Sequence, residues 1–352
     1  MLNSKPNSVT SAPSVFKKLT TQLSVLCGKK NTTTPPNSVI SAPSVVKKLT
    51  TQLSALCDKN LRSLRGKKQI AIVLTLVLLT PIFTKAQQKQ DYKIAVIDLM
   101  ILKRHKISAI TLASELKADG LEIDMGGLGN RETFDSKLNN DTTRQEYLAK
   151  AKELNIEFCS IAMTGFYAQS FAERPTWQKM IGDCLATAKA MNIKVAFLPL
   201  GVKGDLIKHP ELRPAIVERL KIAGKMAKKA GVTIGIETSL DATAEKELLK
   251  DICSKNIRSY FNFSNPLKEG RDLNKELQIL GRKYIVQIHA TDEDDVWLEN
   301  NKRLDLYKVK QTIDDMKWKG WLVVERSRDA TQPRNVKGNF GANVAYLKKV
   351  FQ

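Results

Sequence analysis

VTIGIE (Val232–Glu237), YIVQIH (Tyr284–His289) and WLVVE (Trp321–Glu325) decide how this chain folds. Each is an aliphatic, largely β-branched run of buried-strand length. Each stops on a side chain that can bind a metal or move a proton. In parallel α/β proteins, ligands and chemistry gather at the carboxyl ends of the strands. Two carboxylates and an imidazole ending three separate strands therefore point to one convergent site.

The same pattern extends in both directions from these runs. Strands are expected at Lys93–Leu99, Gly120–Met125, Glu157–Met163, Lys194–Leu200 and Ser259–Phe263 as well, which makes eight. Helical periodicity fills the gaps at Ile107–Ala118, Thr142–Leu154, Trp177–Met191, Leu212–Ala230, Ala242–Cys253, Leu273–Leu280 and Leu306–Trp318. A last helix runs from about Ala342 to the end. Gly or Asn near the helix ends (Gly120, Asn192, Gly231, Gly281, Gly320) reads as C-terminal capping. Strict β/α alternation implies a parallel sheet, and eight units over residues 91–352 match a (β/α)8 TIM barrel. An open doubly wound sheet is the competing architecture.

Strand ends supply the candidate site. Glu122 and Asp124 share a face at the end of the second strand. Glu237, then Asn262 with Ser264 and Asn265, then His289 with Asp292, then Glu325 follow on strands five to eight. Glu, His and an amide oxygen suit Mn²⁺, Mg²⁺ or Zn²⁺. The aromatic segment from Thr164 through Phe166, Tyr167 and Phe171 to Trp177 is long enough to cover a ligand, and Trp297 could stack on one. Arg326 and Arg328 follow the last strand, where barrels often bind anions. Arg328 could equally pair with Asp329. His105 and His209 read as surface residues.

GVTIGIETS, YFNFSNPL, IHATD and WLVVERS, in this order and spacing, resemble the xylose isomerase-like TIM barrels, the sugar phosphate isomerase/epimerase group. The resemblance covers residues 92–352. It implies a divalent metal held by Glu237, Asn262, His289 and Glu325, with Glu237 and Glu325 as the proton-transferring pair. It implies a small carbohydrate substrate, isomerised or epimerised through an enediolate. Glu122, Phe166, Trp297 and Arg326 are the expected substrate contacts. Asn262 is a departure, because the family usually has an Asp there. A lyase or hydrolase of keto-sugars and a non-catalytic carbohydrate-binding barrel are the alternatives. DNA-repair endonucleases of this fold need a histidine-rich zinc cluster, and this chain has 3 His. No nucleic-acid partner is expected, and a homodimer is open.

The formal charge of +21 does not contradict this. Residues 1–90 hold 14 Lys and Arg against one acid, Asp58; the remaining 262 residues hold 43 against 35. Five cysteines, at no metal-ligand spacing, read as buried free thiols, with Cys159, Cys184 and Cys253 in apolar runs. Asn7–Cys27 and Asn37–Cys57 are copies differing at three positions, so residues 1–63 form a duplicated basic extension with weak or no fixed structure. Residues 64–86 follow the basic, apolar, small-residue order of a signal peptide, with the apolar run at Ile70–Phe83. That run is short against the ~20 residues of a membrane span. The expectation is export to a periplasmic or other extracytoplasmic space, with residues 70–83 as an anchor if uncleaved. The true start is expected near Leu64. Intact-mass measurement of the natural product should give a chain starting close to Gln87, and a mature protein retaining Asn7–Cys57 would refute this.

Overall fold

The structure, a computed structural model, describes residues 91–352. The duplicated extension and the signal-like segment expected from the sequence lie outside the described residues. Eight parallel strands close on themselves in sequence order, β1 pairing with both β2 and β8. They are β1 (Tyr92–Ile97), β2 (Gly120–Asp124), β3 (Glu157–Ala162), β4 (Val195–Pro199), β5 (Thr233–Glu237), β6 (Ile257–Asn262), β7 (Ile285–His289) and β8 (Gly320–Val324). This is the (β/α)8 barrel, not the open sheet. Between and after them run α1 (Ser108–Glu115), α2 (Asp141–Glu153), α3 (Trp177–Ala190), α4 (Arg213–Ala230), α5 (Ala242–Ile252), α6 (Ser264–Lys268), α7 (Leu273–Leu280), α8 (Leu306–Asp315) and α9 (Val336–Phe351). Among the described residues no helix is long and apolar enough to cross a membrane.

Alternation along each strand divides the interior in two. One set of side chains packs outward against the helices, among them Ile94, Leu121, Ile234 and Ile288. The other set points into the barrel: Ala95, Ile97, Cys159, Ala162, Phe197, Tyr260 and Val323. Helix starts are set by acids that accept first-turn N–H bonds, as Asp241, Asp272 and Asp305 do. The last helix starts at Val336, ahead of the Ala342 expected from periodicity, because the Asn335 side chain caps it through Gly338 N–H.

Two of the expected caps are something else. Gly231 and Gly281 do take positive φ, as does Asn192. Gly120 and Gly320 instead open strands β2 and β8, and Lys117 and Lys317 hold the left-handed positions. Glycine is needed at Gly120 for space: a Cβ would lie 2.7 Å from the Trp321 ring and 2.6 Å from Glu157 O. Cys253 is also exposed, because it takes the left-handed position that closes α5; Cys159 and Cys184 are buried as expected.

Glu245 on α5 is a buried carboxyl hydrogen-bonded by Thr238 Oγ1 at 3.0 Å. Burial pushes its pKa up to about 7, against the hydroxyls of Ser259 and Thr238. A raised folded-state pKa means that its favourable contribution is complete below the unfolded value and is lost as pH climbs through about 7. Glu245→Gln should therefore match the parent near pH 4 and exceed it at pH 8 by about 3 kcal/mol in urea unfolding. Equal stability at pH 8 would remove this account.

Candidate active site

Four strands deliver the residues singled out from the sequence to one mouth of the barrel. Glu237, Asn262 and His289 end β5, β6 and β7, and Glu325 lies one residue past β8. A register shift between Ser259 and Tyr260 sets Asn262 opposite His289. Without it Asn262 would face Ile288, whose side chain packs outward. Val323 pairs with His289, so Glu325, two residues on, shares its face one step nearer solvent.

The site is built in tiers. At the floor, Ser160 Oγ and Tyr260 OH each donate to Glu122 Oε2 at 2.6 Å. Gln287 Nε2 donates to both hydroxyls at 2.7 Å. His289 stands above, its ring 4.4 Å from that of Tyr260 and 4.9 Å from that of Phe197. Its Nε2 is 3.4 Å from Glu122 Oε1; its Nδ1 is 2.9 Å from Glu237 Oε2 and 3.8 Å from Glu325 Oε2. Tyr167 OH closes the top by donating to Glu237 Oε1 at 3.1 Å.

Three buried carboxylates surround one imidazole, and this sets the charges. Burial alone would lower the His289 pKa; the Glu325 charge and the hydrogen bonds to Glu122 and Glu237 outweigh it and hold the ring well above its ordinary value. Burial alone would raise Glu237, but the bonds from His289, Asn262 and Tyr167 bring it below the usual carboxylate range. Glu325 is raised: burial and the Glu237 charge outweigh His289, Arg326 and Asn262. Two facing acids thus differ in their hold on a proton, the arrangement that assigns one as acid and the other as base.

Above them opens a cavity of about 410 Å³, lined by Tyr167, Glu237, Asn262, Glu325 and Arg326, with Lys208 and Lys268 farther along its wall. That size suits a small molecule. Glu122 lies beneath it, at the floor. Phe166 is not on the cavity: it is buried against Phe134 and Phe171, and the single turn Thr164–Tyr167 brings its neighbour Tyr167 to the site instead. Trp297 is also elsewhere, its Nε1 donating to Asn339. Asp292 is bound by Arg303, and Arg328 pairs with Asp294, not with Asp329. Asp124 turns away toward Arg104 and Thr164. His209 is at the surface as expected, whereas His105 is partly buried beside Gly126. Tyr167 belongs to the aromatic segment expected to cover a ligand, whereas Ser160, Tyr260 and Gln287 were not foreseen. Tyr260 and Gln287 stand two residues before Asn262 and His289, so the strand period alone puts them on the inward face.

The four expected metal ligands meet, but they do not present a divalent-cation cage. Asn262 Oδ1 accepts from Ser264 N–H and Ser264 Oγ. Its Nδ2, a donor without ligand capacity, faces Glu237 and Glu325. His289 Nδ1 is already engaged with Glu237 Oε2 at 2.9 Å. Among the described residues no group of three or more His, Cys, Asp or Glu is disposed to hold a metal ion.

A family model described as "Xylose isomerase-like TIM barrel" matches residues 110–350. No curated protein matches the sequence. Similar solved structures include D-psicose 3-epimerase with D-tagatose from Clostridium cellulolyticum H10, at 14% identity, covering 74% of this chain and 99% of that one, TM-score 0.58. The 3-keto-D-glucoside 4-epimerase from E. coli is similar at 16% identity, 73% and 99% coverage, TM-score 0.57. A sugar phosphate isomerase/epimerase from Parabacteroides distasonis is similar at 12%, 75% and 96%, TM-score 0.57.

Removing His289 would leave Glu122 and Glu237 buried without their shared imidazole. His289→Leu should lower stability by about 3 kcal/mol in urea unfolding. An unchanged midpoint would show that the ring does not hold these acids.

Proposed function

The chain belongs to the xylose isomerase-like TIM barrel family, and from that premise we propose that it is a sugar isomerase or epimerase working by carboxylate proton transfer through an enediolate. The observation that carries the proposal is the pair Glu237 and Glu325, buried together at the cavity's inner end with their proton affinities driven apart. The reaction needs a weakly acidic C–H beside a carbonyl to lose its proton. Glu237, held ionised, is the base. Glu325, held above the usual carboxylate range by burial and the Glu237 charge, is the acid proposed to return one to the enediolate.

The remaining side chains position and neutralise. Charge that develops on the substrate oxygens is met by donors already in place, as electrostatic catalysis requires. Arg326 lines the cavity beside Glu325 and is the cation available to a substrate oxygen. Tyr167 and Asn262 fix the Glu237 carboxylate, each through one of its oxygens. His289, its pKa held well above the ordinary value, is the shared partner of Glu122 and Glu237 in one buried shaft. No step is routed through Mn²⁺, Mg²⁺ or Zn²⁺, because the donor set does not fit one. The substrate proposed is a small carbohydrate carrying a carbonyl. The setting proposed is extracytoplasmic, from the signal-like pattern of residues 64–86.

Incubation with a panel of keto-sugars in D₂O should place deuterium at the carbon next to the carbonyl. Glu237→Gln and Glu325→Gln should each lower uptake by about 10³-fold with the fold intact by circular dichroism. Uptake surviving both changes would refute the assignment. Cleavage products without exchange would favour the lyase or hydrolase, and binding without either would favour the binding barrel. In the parent, kcat/KM should fall at low pH as Glu237 takes up a proton and at high pH as Glu325 loses its own. A profile with only one limb would overturn the split roles.

A further inference from the structure

We infer that the Asn262 amide takes the position of a divalent cation at this barrel mouth: its two N–H groups bridge Glu237 and Glu325, so the site closes without a metal ion. The bridge is short on both sides, with Asn262 Nδ2 3.1 Å from Glu237 Oε2 and 3.0 Å from Glu325 Oε2. Asn262 is 4% exposed and both glutamates 8%, so water competes little for these contacts.

The amide's orientation follows from its other end. Ser264 opens α6, so its backbone N–H is one of the first-turn donors with no partner inside the helix. That N–H lies 2.9 Å from Asn262 Oδ1, and Ser264 Oγ lies 2.8 Å from the same oxygen. A backbone N–H can only donate. Turning the amide over would set N–H against N–H there, and would leave a helix-start donor unpaired at about 1–3 kcal/mol. The side chain therefore has no free oxygen for a cation. An Asp at this position would differ in kind. One of its oxygens could keep Ser264 while the other faced the two glutamates, and the extra negative charge would strengthen the hold on a hard cation.

The inference stands apart from the sugar reading, because its test measures binding and not turnover. The EDTA-treated full chain is titrated with MnCl₂ by calorimetry, and its melting temperature is read with and without MnCl₂. The parent should show no stoichiometric Mn²⁺ site and no rise in melting temperature. Asn262→Asp should bind one Mn²⁺ per chain at least about tenfold more tightly than the parent. It should melt lower than the parent in EDTA and regain that loss with Mn²⁺. If Asn262→Asp does not fold, the parent titration decides alone, supported by NMR of the Asn262 side-chain amide, which Mn²⁺ should leave unbroadened. One Mn²⁺ bound per parent chain as tightly as in Asn262→Asp, and lost in Glu237→Gln, would overturn the inference.

Discussion

The hydrogen-bonded axis from Glu122 through His289 to Glu237 is what the rest of the site depends on. A carboxylate withdrawn from water is costly unless a partner meets it. Here a single imidazole meets two of them, one at each ring nitrogen. The floor beneath is made entirely of donors that satisfy Glu122, and the rim above is made of donors that satisfy Glu237. Hydrophobic walls, Phe197 and the Tyr260 ring, fix the imidazole plane between them. Glu325 is the one acid of the set without such a bond to His289, at 3.8 Å, and it is the one whose pKa burial and the Glu237 charge raise.

Closure of the barrel makes this axis possible. Only a ring of strands can bring residues from β2, β5, β7 and the end of β8 to a common centre. Polar side chains inside such a shaft have one another as partners, because little solvent reaches them, although Gln287 Oε1 is left without one. This explains why Ser160, Tyr260 and Gln287 are present as a connected set and not as isolated polar substitutions in buried strands. The proton chemistry then sits where the buried network first meets the open cavity.

Much of this was legible in the chain. Eight apolar runs separated by amphipathic stretches gave the architecture, since a strand buried on both faces and a helix with one apolar stripe have different periods. Glu237, Asn262, His289 and Glu325 were readable because each interrupts or ends an apolar run. Phe166 and Trp297 were misplaced for a shared reason. An aromatic ring in a loop is equally suited to core and to cavity, and the local turn, not the residue type, chooses. The turn at Thr164–Tyr167 sends Phe166 inward and Tyr167 to Glu237.

What the sequence determined by itself is the order of strands and the identity of the residues at their ends, because local pattern and side-chain chemistry are properties of the chain alone. What only the tertiary structure decided is which atoms face which. A one-residue register shift between β6 and β7 sets Asn262 level with His289, and a helix start at Ser264 turns the Asn262 oxygen away from the site. Neither effect is written in residue type: register depends on the neighbouring strand, and amide orientation depends on a donor supplied by the fold.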